Sequence, residues 1–235
     1  MLSEFKKISD YPLLETPVTV RLCFCKKGAL QYISHLDLQR TFQRILSRAE
    51  LPLWYTQGFN PHPKLVFGLP LPIGCESVCE MADIKLTRDM PAEDILSRLH
   101  RATVSELDFF DCYVAEKKFA DIDSALYEYI IDYNGDGEMV EKISRVLSNS
   151  PLCVMKHTKS GEKEVDIFPL IKKCEVSATE GKIVIKALLA AGSRENLSPE
   201  YLLEALRKRL LFLRDGEEYS IKRLSIHDIN GKIFK

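Results

Sequence analysis

Twice along this chain, strand-like and helix-like periodicities follow one another in the order β-α-β-β-α-β, and few architectures accommodate that order. In the first series Val18-Thr19-Val20-Arg21-Leu22-Cys23-Phe24 reads as a strand closed by Lys26-Lys27-Gly28. Ser34 is a good N-cap, and Asp37 at the third helical position complements the helix dipole. Leu38, Phe42, Ile45, Leu46 and Ala49 recur at helical spacing over about four turns. Strand-like runs follow at Leu53–Thr56, Leu65–Leu69 and Met81–Leu86, then a helix opened by Pro91 through about Ala102, and a strand at Leu107–Ala115.

The second series has strands at Leu126–Tyr133, Cys153–Lys156, Val165–Val176, Lys182–Leu189 and Tyr219–Ile226. Its helices run over Glu138–Leu147 and from a Ser198-Pro199 start to about Leu210. Turns are expected at 134–137 and 159–162. The expected class is α+β, as two tandem ferredoxin-like (βαββαβ) domains spanning 1–118 and 119–235 and joined near 116–125.

Composition narrows the function classes. The net charge is −1, which excludes a protein that coats nucleic acid along its whole surface. Charge is uneven, however: residues 1–70 carry 9 basic against 5 acidic side chains, and residues 71–140 carry 6 against 16. A local basic face is compatible with that split. No apolar run approaches the ~20 residues of a membrane helix, and Met1–Lys7 lacks the apolar core of a signal peptide. A cytoplasmic location without membrane contact is expected. The seven cysteines are scattered and odd in number, as suits free thiols in a reducing compartment. Cys23 and Cys25 alternate along one strand and read as buried thiols.

The densest candidate site lies in Tyr32-Ile33-Ser34-His35-Leu36-Asp37-Leu38 and Tyr55-Thr56-Gln57-Gly58-Phe59-Asn60-Pro61-His62-Pro63-Lys64. Two prolines flanking His62 fix backbone angles, and Gly58 permits conformations closed to other residues. Such a loop spends its residues on rigid geometry around polar groups. Arg40, Arg44 and Arg48 fall four residues apart and form one basic helix stripe.

The run from Gln31 to Glu76, with SHLDLQRTFQRIL, TQGFNPHPK and GLPLPIGCES, is similar to the uncharacterised radical SAM-linked domain family. Its members occur alone or fused C-terminal to radical SAM proteins. Weaker agreement continues at Glu164–Pro169 and Asn196–Pro199, with Phe168 where the family pattern often has arginine. The resemblance implies a radical SAM protein as partner and no established activity. This chain has Cys75 and Cys79 but Ala82 where a third cluster cysteine would stand, so no cofactor of its own is expected.

His35 and His62 are the catalytic candidates, as a general acid–base pair for RNA cleavage. They could equally bind a ligand, or hold a helix start and a turn. A metal site with Asp37, Cys75 or Glu76 lacks ligand spacing, so none is expected. The ligand-binding set is His35, Asp37, Arg40, Gln57, Asn60, His62 and Lys64. Lys64, Arg40 and Arg44 with Tyr32, Trp54, Tyr55 and Phe59 would suit RNA, cations meeting phosphates and rings stacking on bases. Otherwise the arginines are a solvated face and the rings are core, the better reading for Trp54. Three functions follow: an RNA-binding or RNA-processing accessory module, a docking domain that presents the acidic stretch Glu76–Asp94 to a protein, or a metal-independent endoribonuclease.

Overall fold

The computed structural model describes residues 6–133, 137–158, 161–210, 213 and 218–235. The chain has a mixed α/β fold, with ten strands and four α-helices among the described residues. It divides into two compact units, one running to Phe119 and taking in Lys235, the other covering Ala120–Phe234.

In the first unit the order is β1 (Leu13–Lys26), α1 (His35–Arg48), β2 (Leu65–Phe67), β3 (Cys75–Arg88), α2 (Ala92–Ala102) and β4 (Leu107–Val114). All pairings within it are antiparallel, giving the strand order β4-β1-β3-β2. Strand alternation sends Val20, Leu22 and Phe24 of β1 to one face. There they pack with Ile84 and Leu86 of β3, Leu38, Phe42, Ile45 and Leu46 of α1, and Ile95 and Leu99 of α2. At the centre, Phe42 lies edge-on to Phe24 (4.8 Å), Phe67 (4.9 Å) and Phe109 (5.5 Å), joining α1 to three strands.

The opposite face of β1 carries a charge. Arg21 is wholly buried and sits in register with Asp83 of β3. Its guanidinium donates Nε–H and Nη2–H to the two carboxylate oxygens at 2.8 and 3.0 Å, and Nη2–H also to the Lys117 carbonyl at 2.8 Å. The Phe119 ring covers the cation at 4.2 Å. A two-pronged pair of this kind fixes the guanidinium against the carboxylate.

The second unit comprises β5 (Ile122–Asp132), α3 (Glu138–Leu147), β6 (Cys153–Thr158), β7 (Gly161–Asp166), β8 (Ile171–Thr179), β9 (Lys182–Ala190), α4 (Glu200–Leu210) and β10 (Tyr219–Asp228). Its sheet has the order β10-β5-β9-β8, again antiparallel, and β6 pairs with β7 as a separate hairpin.

Several sequence expectations are corrected here. Leu53–Thr56 makes only isolated pairings, Leu53 with Leu86 and Tyr55 with Pro63, because the chain turns back at once. Val165–Val176 is two strands, since Asp166 accepts N–H bonds from Leu152 and Phe168 and a 3-10 turn at Phe168–Leu170, with Pro169 inside, interrupts the ladder. Pro91 is the residue before α2, not its first member. β1 begins upstream of Pro17, which falls in the register shift between Leu13 and Val18. The turn positions Asn134, Gly135, Asp136, Lys159 and Ser160 lie outside the described residues.

Asp83→Ala takes the carboxylate from a buried cation and is expected to cost about 3–5 kcal/mol in urea unfolding. Arg21→Met/Asp83→Leu should recover most of that loss. A cost below about 1 kcal/mol for the single change would mean that the pair is solvated and not structural.

Candidate functional site

α1 begins as its sequence predicts. The Ser34 side chain accepts the Asp37 N–H at 3.1 Å and donates its hydroxyl to the Asp37 carboxylate at 2.7 Å. His35 and Asp37 are therefore held in the first turn of α1, and both are exposed. The His35 ring stands edge-on to Phe67 at 5.2 Å and so extends the aromatic cluster to the surface. Arg40 reaches back to Asp37 at 3.4 Å, a solvated pair of small energetic value. Arg44 and Arg48 are also exposed, and neither makes an ion pair among the described residues; the expected stripe exists.

The proline-rich segment is a hairpin. The Trp54 N–H donates to the Lys85 carbonyl (2.8 Å) of β3, while the Trp54 carbonyl accepts the Lys64 N–H (3.2 Å). The Thr56 N–H donates to the His62 carbonyl at 2.9 Å, closing the apex 57–61. The His62 N–H in turn donates to Thr56 Oγ1 at 3.2 Å. His62 Nδ1 lies 3.0 Å from the Asn60 carbonyl oxygen, which can only accept, so Nδ1 carries the proton. Thr56 Oγ1 stands 3.2 Å from the same nitrogen. In the neutral ring Nε2 is then a bare acceptor at the surface.

The apex itself is open. Gly58 has φ +139°, a backbone region closed to most side chains. Phe59 stands wholly in solvent at 112% exposure, with Tyr55 (47%) and Tyr32 (68%) also exposed. The side chains of Gln57, Asn60 and Lys64 are exposed and make no hydrogen bond among the described residues. Trp54, expected in the core, is half-buried, with Lys85 Nζ 5.5 Å from its ring centre.

The structure thus gathers Asn60 and His62 in one clamp and Asp37 and Arg40 on one helix turn. No hydrogen bond joins His35 to His62 among the described residues. Sequence reasoning missed Thr56, whose hydroxyl organises the clamp. A threonine six residues before His62, across a Gly and a Pro, was the available signal. It also missed Phe67 as the seat of His35. In the acidic stretch Glu76–Asp94, Asp89 and Glu93 are exposed, and the other carboxylates have partners or burial inside the unit. Glu76 accepts the Gly28 N–H at 2.8 Å, Glu80 is buried, Asp83 holds Arg21, and Asp94 accepts the Tyr11 hydroxyl at 2.7 Å.

No group of three or more His, Cys, Asp or Glu side chains is placed to hold a metal ion among the described residues. Burial pushes the Cys23 thiol up to about 11 and the Cys112 thiol up to about 12, so neither supplies thiolate near neutrality. No helix among the described residues is long and apolar enough to cross a membrane.

The model of a protein family described as "uncharacterized protein conserved in bacteria (DUF2344)" matches residues 19–199. The chain belongs to this family. No curated protein matches it. Among solved structures, it is similar to a chain in the crystal structure of a Cbf5–Nop10–Gar1 complex, with 13% identity and a TM-score of 0.45. That match covers 94% of this chain, which spans only 55% of the other. A second likeness, to an unknown protein from Galdieria sulphuraria, has 10% identity, a TM-score of 0.25, and coverages of 88% and 99%. At TM-scores below 0.5 neither likeness bears on what this chain does.

Two outcomes check the site description. His35→Ala should lower unfolding stability by about 0.5–1.5 kcal/mol through the lost edge contact on Phe67, whereas Phe59→Ser should change it by less than about 0.5 kcal/mol. Iodoacetamide at mildly alkaline pH should leave Cys23 and Cys112 unmodified in the folded protein and label both in urea, as read by peptide mass spectrometry. Rapid labelling of the folded protein would contradict the burial that raises these thiols.

Proposed function

We propose that the chain is a non-catalytic RNA-binding or RNA-processing accessory module that works beside a radical SAM protein. In this reading, RNA contacts the α1 stripe and the 57–61 hairpin apex. The observation that carries it is Phe59, an aromatic ring held wholly in solvent on a braced hairpin that also bears Lys64 and the bare Nε2 of His62. A ring so placed offers a face to an unstacked base, and Lys64 offers a charge to the adjoining phosphate. Arg44 and Arg48, exposed and without ion pairs among the described residues, extend the cationic track along α1. Asp37, His35 and Gln57 would flank the contact, with His35 as a positioning residue seated on Phe67.

The partner assignment rests on the likeness of Gln31–Glu76 to radical SAM-linked proteins. For the fold, strand orders β4-β1-β3-β2 and β10-β5-β9-β8, each threaded by two helices, support tandem ferredoxin-like domains at 1–118 and 119–235. The β6–β7 hairpin is then an insertion in the second.

Fluorescence anisotropy with a short labelled single-stranded RNA tests this reading. Phe59→Ala is expected to weaken binding by the ~1–3 kcal/mol of one base–aromatic stack. Lys64→Ala should reduce the slope of log affinity against log salt by about 0.7. Unchanged affinity in His62→Ala/Lys64→Ala and in Phe59→Ala would sink the assignment of RNA to this hairpin.

A further inference from the structure

The sheet of the second unit buries one face and leaves the other partly open. Over 125–132 of β5 and 182–189 of β9 the odd-numbered side chains, including Tyr127, Tyr129, Ile183 and Ile185, are buried. The even-numbered ones are half-buried or exposed, and a period of two places them together on the opposite face. Register arranges them in rows across the strands. The middle row reads Glu175 on β8, Lys186 on β9, Glu128 on β5 and Lys222 on β10. An apolar pair lies on either side of it, Leu188 beside Leu126 and Val184 beside Ile130.

The signs in the middle row alternate −, +, −, +, and Lys186 Nζ lies 3.8 Å from the Glu128 carboxylate. A surface of one sign laid on this row would meet like charge at every second position. The row demands a partner with the reverse alternation, and a second copy of this chain has it. A two-fold axis parallel to the strands, between two such faces, keeps each row at its own height and exchanges left for right. Lys186 of one copy then faces the second copy's Glu128, and Glu175 faces the second copy's Lys222. In the flanking rows Leu188 meets the second copy's Leu126, and Val184 its Ile130.

We propose that this face is a homodimer interface in which two copies pack sheet on sheet. The contact is isologous, as a two-fold interface must be. The apolar pairs supply the driving force through buried area, and the charge row sets the register. Aligned sheets cross at about 30°, so the central positions Lys186 and Glu128 keep their pairing better than the edge positions.

Sedimentation equilibrium on the full chain, over a micromolar concentration series, tests the proposal. The wild type should dimerise. Lys186→Glu sets anion against anion twice across the axis, and Glu128→Lys sets cation against cation twice, so each variant alone should associate at least about tenfold more weakly. Mixed together, the two rows are complementary at every position, and heterodimers should form with roughly wild-type affinity. Leu188→Ser, which changes no charge, should also weaken association. A wild type monomeric throughout the series, single variants that dimerise as the wild type does, or a mixture that fails to pair would each overturn the proposal.

Discussion

The edge-on contact between Phe42 and Phe67 holds the candidate site in place. β2 has only three residues, too few for its ladder to β3 to define a position alone. Phe67 supplies the rest by inserting beside Phe42 and Phe24 and taking His35 on its outer edge. The start of α1 and the end of the hairpin are thus fixed to one ring. Aromatic pairs of this geometry add about 0.5–1.5 kcal/mol each beyond area burial. Several in one cluster make the local arrangement cooperative.

Outward from that anchor, order is maintained by hydrogen bonds and proline, with packing confined to the buried Leu53 and Pro63 at the hairpin's base. The Thr56–His62 exchange closes the hairpin, and Pro61 and Pro63 limit the backbone on either side of the histidine. Beyond the clamp Phe59 buries nothing, so it contributes nothing to folding through the hydrophobic effect. A structural role for His62 and a binding role for its neighbours are therefore compatible. The ring's Nδ1 braces the turn while Nε2 and the apex side chains stay available.

The helices were legible because their signals are local. The cap at Ser34 and the apolar spacing of α1 require no knowledge of the rest of the chain. Strands were less legible where their limits depend on partners. β3 extends from Cys75 to Arg88 because β1 runs alongside it. Leu53–Thr56 has strand composition, yet its neighbours offer single bridges and no ladder. The break at Phe168–Leu170 had a local cause in Asp166 and Pro169, whose meaning emerged only once Asp166 was seen to cap two N–H groups. At the site, the loop and its polar residues could be read from composition. The clamp between Thr56 and His62 could not, because a hydroxyl shows its partner only after the chain has turned.

Regional charge is the other place where sequence and structure part. The basic surplus of residues 1–70 includes Arg21 and Lys26, both buried, and the acidic excess that follows includes the buried Glu80 and the bound Asp83. Part of the contrast between the two regions is thus neutralised inside the first unit, and the rest is carried by exposed side chains. Among the exposed basic side chains of the first region, Arg40, Arg44 and Arg48 share one helix face and Lys64 stands on the hairpin, with Lys6, Lys7 and Lys27 elsewhere. Arg21 differed from these in sequence by standing between apolar residues in a strand, where alternation places it on the face opposite Val20 and Leu22. An arginine in a strand interior therefore implies a carboxylate on a neighbouring strand, whereas arginines four apart on a helix imply a partner outside the chain, or water. Residue type is the same in both cases, and the periodicity around it decides which side of the ledger the charge falls on.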